Sequence, residues 1–175
     1  IDNFKAYNDR YGFRNGDRVL RMFADMLRLK QGAPLFFVGH IGGDDFFMGV
    51  RECSFDDVKE DIQAVMHTFQ QDVRSFYDAD TRAQGYIVSI DRDGNEKRFA
   101  LLTVSAAVLD LQAHRSTDIS IGQIGELMAA HKTRAKHSIQ KISVKHIGPR
   151  QNGQTAEFYN GLFTAPPAHR LPYAS

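Results

Sequence analysis

The feature that most constrains this chain is a four-residue turn, Gly42-Gly43-Asp44-Asp45, set between two apolar runs of strand length, Leu35 to Ile41 and Phe46 to Val50. Two such runs joined by a glycine-rich turn predict a β-hairpin. Two adjacent carboxylates in a tight turn repel each other unless a cation or ligand compensates the crowding, which makes Asp44 and Asp45 a candidate metal site. The same residue types also form ordinary solvated turns, and the turn by itself does not decide between the two.

Periodicity organises the rest. Phe4, Tyr7 and Tyr11 lie at helical spacing, and Leu20, Phe23 and Leu27 predict a second helix from about Asp17 to Lys30, with Gly12 and Gly16 as punctuation. Ser54 reads as an N-cap, followed by Phe55, Val58, Ile62, Val65, Phe69, Val73 and Phe76 on one helical stripe. Tyr86 to Ile90 and Phe99 to Leu111 flank Asp93-Gly94 and predict a second hairpin. A last helix, Ile121 to His137, carries Ile124, Leu127 and Met128 inward and a cationic half with Lys132, Arg134 and Lys136, and strand Ile142 to Ile147 follows. From Gly148 onward, Pro149, Gly153, Pro166, Pro167 and Pro172 interrupt any periodicity. The expected organisation is therefore one α/β domain over residues 1–147, a sandwich with a mainly antiparallel central sheet flanked by helices, and an irregular tail or linker over 148–175. A strand ending at Ile1 would complete the sheet.

Composition narrows the function classes. With 175 residues, 42% hydrophobic and 25% charged, the chain matches one soluble globular domain. A net charge of +1 supplies no broad basic field, so nucleic acid is not an expected partner. Cys53 is the single cysteine, which excludes an intrachain disulfide and fits a reducing compartment. No apolar run approaches the roughly 20 residues that span a bilayer, and no signal-peptide pattern opens the chain, so it reads as cytoplasmic and outside the membrane. It starts without methionine, directly in a candidate site segment, and is expected to be a piece of a longer protein.

Asp2-Asn3-Phe4-Lys5, Asn8-Asp9, Gly12, Gly16-Asp17 and Val19-Leu20, followed by Ile41-Gly42-Gly43-Asp44-Asp45-Phe46, resemble in order and spacing the signature of the GGDEF family, whose members include diguanylate cyclases. The resemblance runs to about Ile147 and takes in Thr103-Val104-Ser105 and Ala135-Lys136. It implies a nucleotidyl-cyclase, ferredoxin-like sandwich, GTP as ligand, Mg²⁺ (or Mn²⁺) as cofactor, a homodimer, and neighbouring domains in a longer signalling chain. In that family the 3′-hydroxyl of each of two facing GTP molecules attacks the α-phosphate of the other to give cyclic di-GMP. This is phosphoryl transfer, in which positioning and electrostatic stabilisation do most of the catalysis.

The resemblance also assigns roles. Asn8 and Asp17 match the pair that reads the guanine edge, a carboxylate accepting from guanine N–H groups and an amide completing the contact. Without it, Asn8 reads as a helix-surface amide and Asp17 as the cap of the second helix. The backbone N–H groups of Asn3, Phe4 and Lys5 match a phosphate cradle at a helix start. Lys5 matches a transition-state stabiliser and Lys136 a triphosphate contact; on their own, both read as lysines on a solvated helix face. Asp44 matches the acidic metal ligand and the Ile1 backbone carbonyl a second one, so Asp44, Asp45 and Lys5 form the expected catalytic group.

The chain also departs from the family pattern. Asp45 stands where the family has Glu, retracting the carboxylate by about 1.5 Å, a displacement that can cost on the order of 100-fold where geometry controls rate. The first carboxylate of the family's Asp-x-Asp pair falls before Ile1. Phe13 replaces a usual His, and His40 stands where Arg or Tyr is common. Gln140, in His137-Ser138-Ile139-Gln140-Lys141, replaces a phosphate-binding Arg with a neutral amide. The inhibitory product site needs Arg-x-x-Asp, and the matching stretch here is the uncharged Ala33-Pro34-Leu35-Phe36. Gly39 to Phe46 is similar to the variant in GGDEF domains that follow an EAL phosphodiesterase domain and a CBS pair. The expectation is a guanine-nucleotide-binding domain, either a weak diguanylate cyclase or a degenerate GTP-binding regulatory domain; the alternative is a non-catalytic dimerisation or scaffold module.

Overall fold

A computed structural model describes residues 1–29, 36–51, 53–91, 93–111 and 119–147. Helices α1 (Phe4–Tyr11) and α2 (Phe13–Leu29) are separated only by Gly12, which serves both. Its N–H donates to the Asn8 carbonyl at 2.8 Å to end α1, and its own carbonyl accepts from Asn15 and Gly16 N–H groups to start α2. A φ of 83° makes this junction a glycine position. The second helix thus begins four residues before the Asp17 start read from the sequence, and Asp17 lies inside it rather than capping it. Lys30 lies outside the described residues.

Strands β1 (Phe36–Gly42) and β2 (Asp45–Val50) pair antiparallel as expected, with an irregularity in register between His40 and Gly42. Ser54 caps α3 (Phe55–Asp72), its hydroxyl accepting from Asp57 N–H at 3.1 Å. The helical stripe is continuous, but the helix tightens after Asp72 into a 3₁₀ turn over Val73–Phe76. A short helix that periodicity did not show, α4 (Ala79–Gln84), follows, capped by Asp78 through Thr81 N–H at 2.8 Å.

The second hairpin forms from β3 (Tyr86–Ile90) and β4 (Glu96–Ala100). The long strand expected over Phe99 to Leu111 is divided, since residues 101–105 leave the ladder before β5 (Ala106–Leu111) begins. Their backbone groups go elsewhere: Leu102 N–H donates to the buried Tyr77 hydroxyl at 2.8 Å, and Thr103 pairs with Asp2 as an isolated antiparallel bridge. Helix α5 (Ile121–His137), closed at its start by a Ser120–Gln123 capping box, crosses over to β6 (Ile142–Ile147), which pairs parallel with β5. The α/β class therefore holds, with the strands among the described residues in three two-stranded ladders, two antiparallel and one parallel. The tail from Gly148 lies outside the described residues.

A hydrophobic core joins α1, α2, α3 and β3. Phe4 and Tyr7 of α1, Val19, Phe23 and Leu27 of α2, Val65 and Phe69 of α3, and Ile87 and Leu102 are buried together. Phe23 stands edge-on to Phe46 at 5.0 Å and to Phe69 at 5.2 Å, so a single ring ties α2 to the hairpin and to α3. Phe46 directly follows Asp45; core packing thereby fixes where the acidic turn sits. Of the inward residues expected on α5, Ile124, Leu127 and Met128 are half-buried, while His131 and Ala135 are the buried ones. Among the described residues no helix is long and apolar enough to cross a membrane.

Candidate functional site

The first residues run between the acidic turn and the 101–105 segment. The Ile1 backbone nitrogen donates to the Asp44 carbonyl at 2.9 Å, and Asp2 N–H donates to the Thr103 carbonyl at 2.7 Å. Asn3 then turns the chain with φ 60°, in the left-handed region that Asn tolerates, and its amide donates to the Ala100 carbonyl at 3.1 Å. This bend starts α1 with the N–H groups of Phe4 and Lys5 outside the helical ladder, as any helix start leaves them. The structure thus places Ile1, Asn3, Phe4 and Asp44 around one corner.

Asp2, to which the motif match assigns no separate role, anchors that corner. Its buried carboxylate accepts from Thr103 Oγ1 at 2.9 Å and Ser105 Oγ at 2.6 Å, with Lys141 Nζ 3.7 Å away. Its second oxygen, Oδ1, is buried without a hydrogen-bond partner. The Thr103-Val104-Ser105 stretch matched in the sequence is therefore tied to the start of the chain by side-chain hydroxyls.

Asn8 and Gly16 meet where α1 crosses α2. A methyl group placed on Gly16 would fall 1.9 Å from Asn8 Oδ1 and 3.1 Å from Phe4 Cζ, so only glycine leaves room for the amide. Asn8 Oδ1 is buried there and has no hydrogen-bond partner. Asp17, the next residue after Gly16, is exposed, and its side chain makes no hydrogen bond or ion pair among the described residues. An amide and a carboxylate of complementary chemistry thus stand at one helix crossing with their polar atoms unspent.

The charged residues are arranged differently. Lys5 pairs with Asp9 at 2.8 Å on the open face of α1, an i,i+4 contact. Asp45 Oδ2 accepts from Lys132 Nζ at 2.5 Å across from α5. Burial pushes the Asp45 carboxyl up, but the Lys132 hydrogen bond and charge, together with Lys136, outweigh it and hold the group below its ordinary value. Lys136, one turn after Lys132, makes no side-chain ion pair among the described residues. His40 approaches the turn through its Nε2, 3.0 Å from the Gly43 carbonyl, and stacks on Phe46.

Sequence reading missed the part played by Lys132. The only trace was its spacing from Lys136 on the same helix, and nothing in a linear pattern connects it to a carboxylate 87 residues away. Gln140 is exposed just beyond α5. Of the uncharged stretch Ala33-Pro34-Leu35-Phe36, the first three residues and the Phe36 side chain lie outside what is described.

With this geometry established, comparison with known proteins gives the class. The model of the family described as "Diguanylate cyclase, GGDEF domain" matches residues 1–95. The chain belongs to the GGDEF family. It is 30% identical over 122 residues to the diguanylate cyclase DgcP of Escherichia coli, which covers 66% of this chain and 34% of that protein. It is 40% identical over 53 residues to the diguanylate cyclase DgcS of Shewanella oneidensis, covering 29% of this chain and 17% of that one. The chain thus spans about a third or less of the length of these relatives. No solved structure matches it.

Among the described residues no group of three or more His, Cys, Asp or Glu side chains could hold a metal ion. The donors that are present nevertheless suit the divalent cation used in this family. The Asp44 carboxylate and the carbonyl of Ile1, a residue held to Asp44 through its nitrogen, are hard oxygen donors, and Mg²⁺ is typically held by one or two carboxylates, with water and substrate phosphates completing its shell.

Proposed function

We propose that the chain is a guanine-nucleotide-binding GGDEF domain of cyclic di-GMP signalling, working in the cytoplasm, that retains GTP recognition and synthesises product weakly. The observation that carries this reading is the pair Asn8 and Asp17. Buried polar atoms in folded proteins are almost always satisfied, and one that is not calls for a ligand, an ion or a water. Asp17 can accept from the guanine N1–H and N2–H groups, and the Asn8 amide can complete the edge. Lys136 and the start of α1 supply positive potential for the phosphates. Mg²⁺ or Mn²⁺, held by Asp44 and the Ile1 carbonyl, would offset phosphate charge.

A regulatory rather than strongly catalytic role is favoured by the Asp45–Lys132 contact. The carboxylate at the catalytic turn is a methylene shorter than the family's Glu and is already paired. Lys5 is likewise paired, with Asp9, and Gln140 offers no charge to a phosphate. In this reading the domain, as a homodimer, reports GTP occupancy to neighbouring domains of a longer chain. Incubating the full-length protein with GTP and Mg²⁺ tests it, with calorimetry reading binding and chromatography reading cyclic di-GMP. Binding with trace product is expected. Absence of GTP binding overturns the proposal, and turnover at the several-per-second rates ordinary for enzymes overturns its regulatory part.

A further inference from the structure

Lys132 reaches Asp45 from a helix whose position is fixed. Its neighbour His131 is buried with Nδ1 2.7 Å from Ser143 Oγ, and Ala135, on the next turn, is fully buried against the parallel ladder. The backbone of α5 is therefore held on the parallel ladder, and the lysine stem spans the gap to the acidic turn. The 2.5 Å contact is nonetheless open to water, each side chain being 42% exposed, so it can break and re-form at little cost. Lys136 lies one turn along the same helix, within electrostatic reach of the same carboxylate and without a partner of its own among the described residues.

On the nucleotide-binding reading above, we propose that Lys132 is a positioning residue that occupies the Asp45 carboxylate as an internal cation, and that a bound triphosphate draws it off. A monovalent ammonium and a divalent ion compete for the same oxygens. While Lys132 is paired, Asp45 is unavailable to a metal ion. When phosphates arrive beside α5, Lys132 and Lys136 can turn to them together, and Asp45 is released. Cation and nucleotide binding are then coupled, each tightening the other, as linkage requires.

The test is a Mn²⁺ titration followed by electron paramagnetic resonance of the free ion, on the wild-type full-length protein and on Lys132→Met, without nucleotide. Met keeps the stem and removes the charge, and Mn²⁺ affinity should rise about fivefold, the equivalent of a surface ion pair near the upper end of its measured range. Lys132→Arg should stay as weak as wild type, and Asp45→Asn in the Lys132→Met background should abolish the gain. With a GTP analogue bearing a methylene between the α and β phosphorus atoms, the difference between wild type and Lys132→Met should shrink. Equal affinities for wild type and Lys132→Met without nucleotide, including none detected for either, overturn the proposal, as does a gain that survives Asp45→Asn. The nucleotide-free comparison does not depend on GTP recognition. Failure to bind the analogue with the Mn²⁺ difference intact therefore counts against the nucleotide reading and leaves the lysine's hold on Asp45 standing.

Discussion

The α1–α2 crossing and the corner between the acidic turn and α5 are built by opposite means. At the crossing, position is set by burial: Phe4, Tyr7 and Val19 lie in the core, and Gly16 leaves the Asn8 amide room that no larger residue would. Asn8 Oδ1 there has no hydrogen-bond partner among the described residues. At the corner, Asp45 and Lys132 are half open to solvent and satisfy each other. Buried shape cannot adjust to a ligand, because an interior packs at the density of a crystal. Surface charge can, since an exposed pair contributes only about 0.2–1 kcal/mol. On the proposed reading, recognition of the base would belong to the rigid part, and handling of phosphate and metal to the part that rearranges.

The most disruptive way to break this division is Phe23→Ala. Phe23 joins the rigid part to the acidic turn through its edge contacts with Phe46 and Phe69. Its loss should cost about 3–5 kcal/mol, as aromatic truncations in cores do, read as a fall in the urea midpoint. A loss under about 1 kcal/mol, the level of a volume-conserving swap, would show that the hairpin is held by something else.

Gly16→Ala acts on the crossing alone. The added methyl collides with the Asn8 amide, whose far end can swing away, while the Phe4 ring at 3.1 Å must give by a few tenths of an ångström. The fold should lose about 1–3 kcal/mol, the usual cost of overpacking, and GTP affinity should fall more than stability if, as proposed, the displaced amide reads the guanine. Calorimetric GTP binding at the wild-type level would remove Asn8 from the site.

Much of the rigid part was legible in the sequence and little of the adjustable part. Apolar spacing along α3, the Ser54 cap and the Asp93-Gly94 turn are local signals, and each produced the element it predicts. The start of α2 was misplaced because the capping group is a backbone carbonyl, that of Gly12, which no side chain advertises. The division of the strand before β5 depends on the Tyr77 hydroxyl and on Asp2, both distant in sequence. The same holds for the site. Asn8 and Asp17 were matched by family resemblance alone; the fold adds that Asn8 Oδ1 is buried without a hydrogen-bond partner among the described residues. Lys132 was indistinguishable from its cationic neighbours until the fold set it against Asp45.

The charged corner can also be loosened through pH. Burial, then the positive charges of Arg134 and Lys145, hold His131 below its ordinary value. The unfolded chain therefore takes up a proton first. Stability from this group is fully present above about pH 6.5, the unfolded value, and is lost as pH falls below it toward the lowered folded value. Urea midpoints should drop between pH 7.5 and 5.5, and His131→Gln should flatten that part of the profile. A slope unchanged in the variant would assign it to other groups.

The smallest structural effect with the sharpest functional meaning concerns Lys5. Its pair with Asp9 is an exposed i,i+4 contact, for which about 0.3–0.5 kcal/mol is usual. Both Lys5→Ala and Asp9→Asn should therefore leave stability within about 0.5 kcal/mol of wild type. Their effects on GTP should oppose each other. Removing Lys5 withdraws a positive charge from the start of α1 and should weaken triphosphate binding, whereas Asp9→Asn frees the ammonium and removes a nearby negative charge, and should strengthen it. Both changes should fade in high salt, because the groups are exposed and screened. If the two variants shift GTP affinity in the same direction, or not at all, Lys5 is an ordinary helix-surface lysine, and phosphate handling rests on α5 alone.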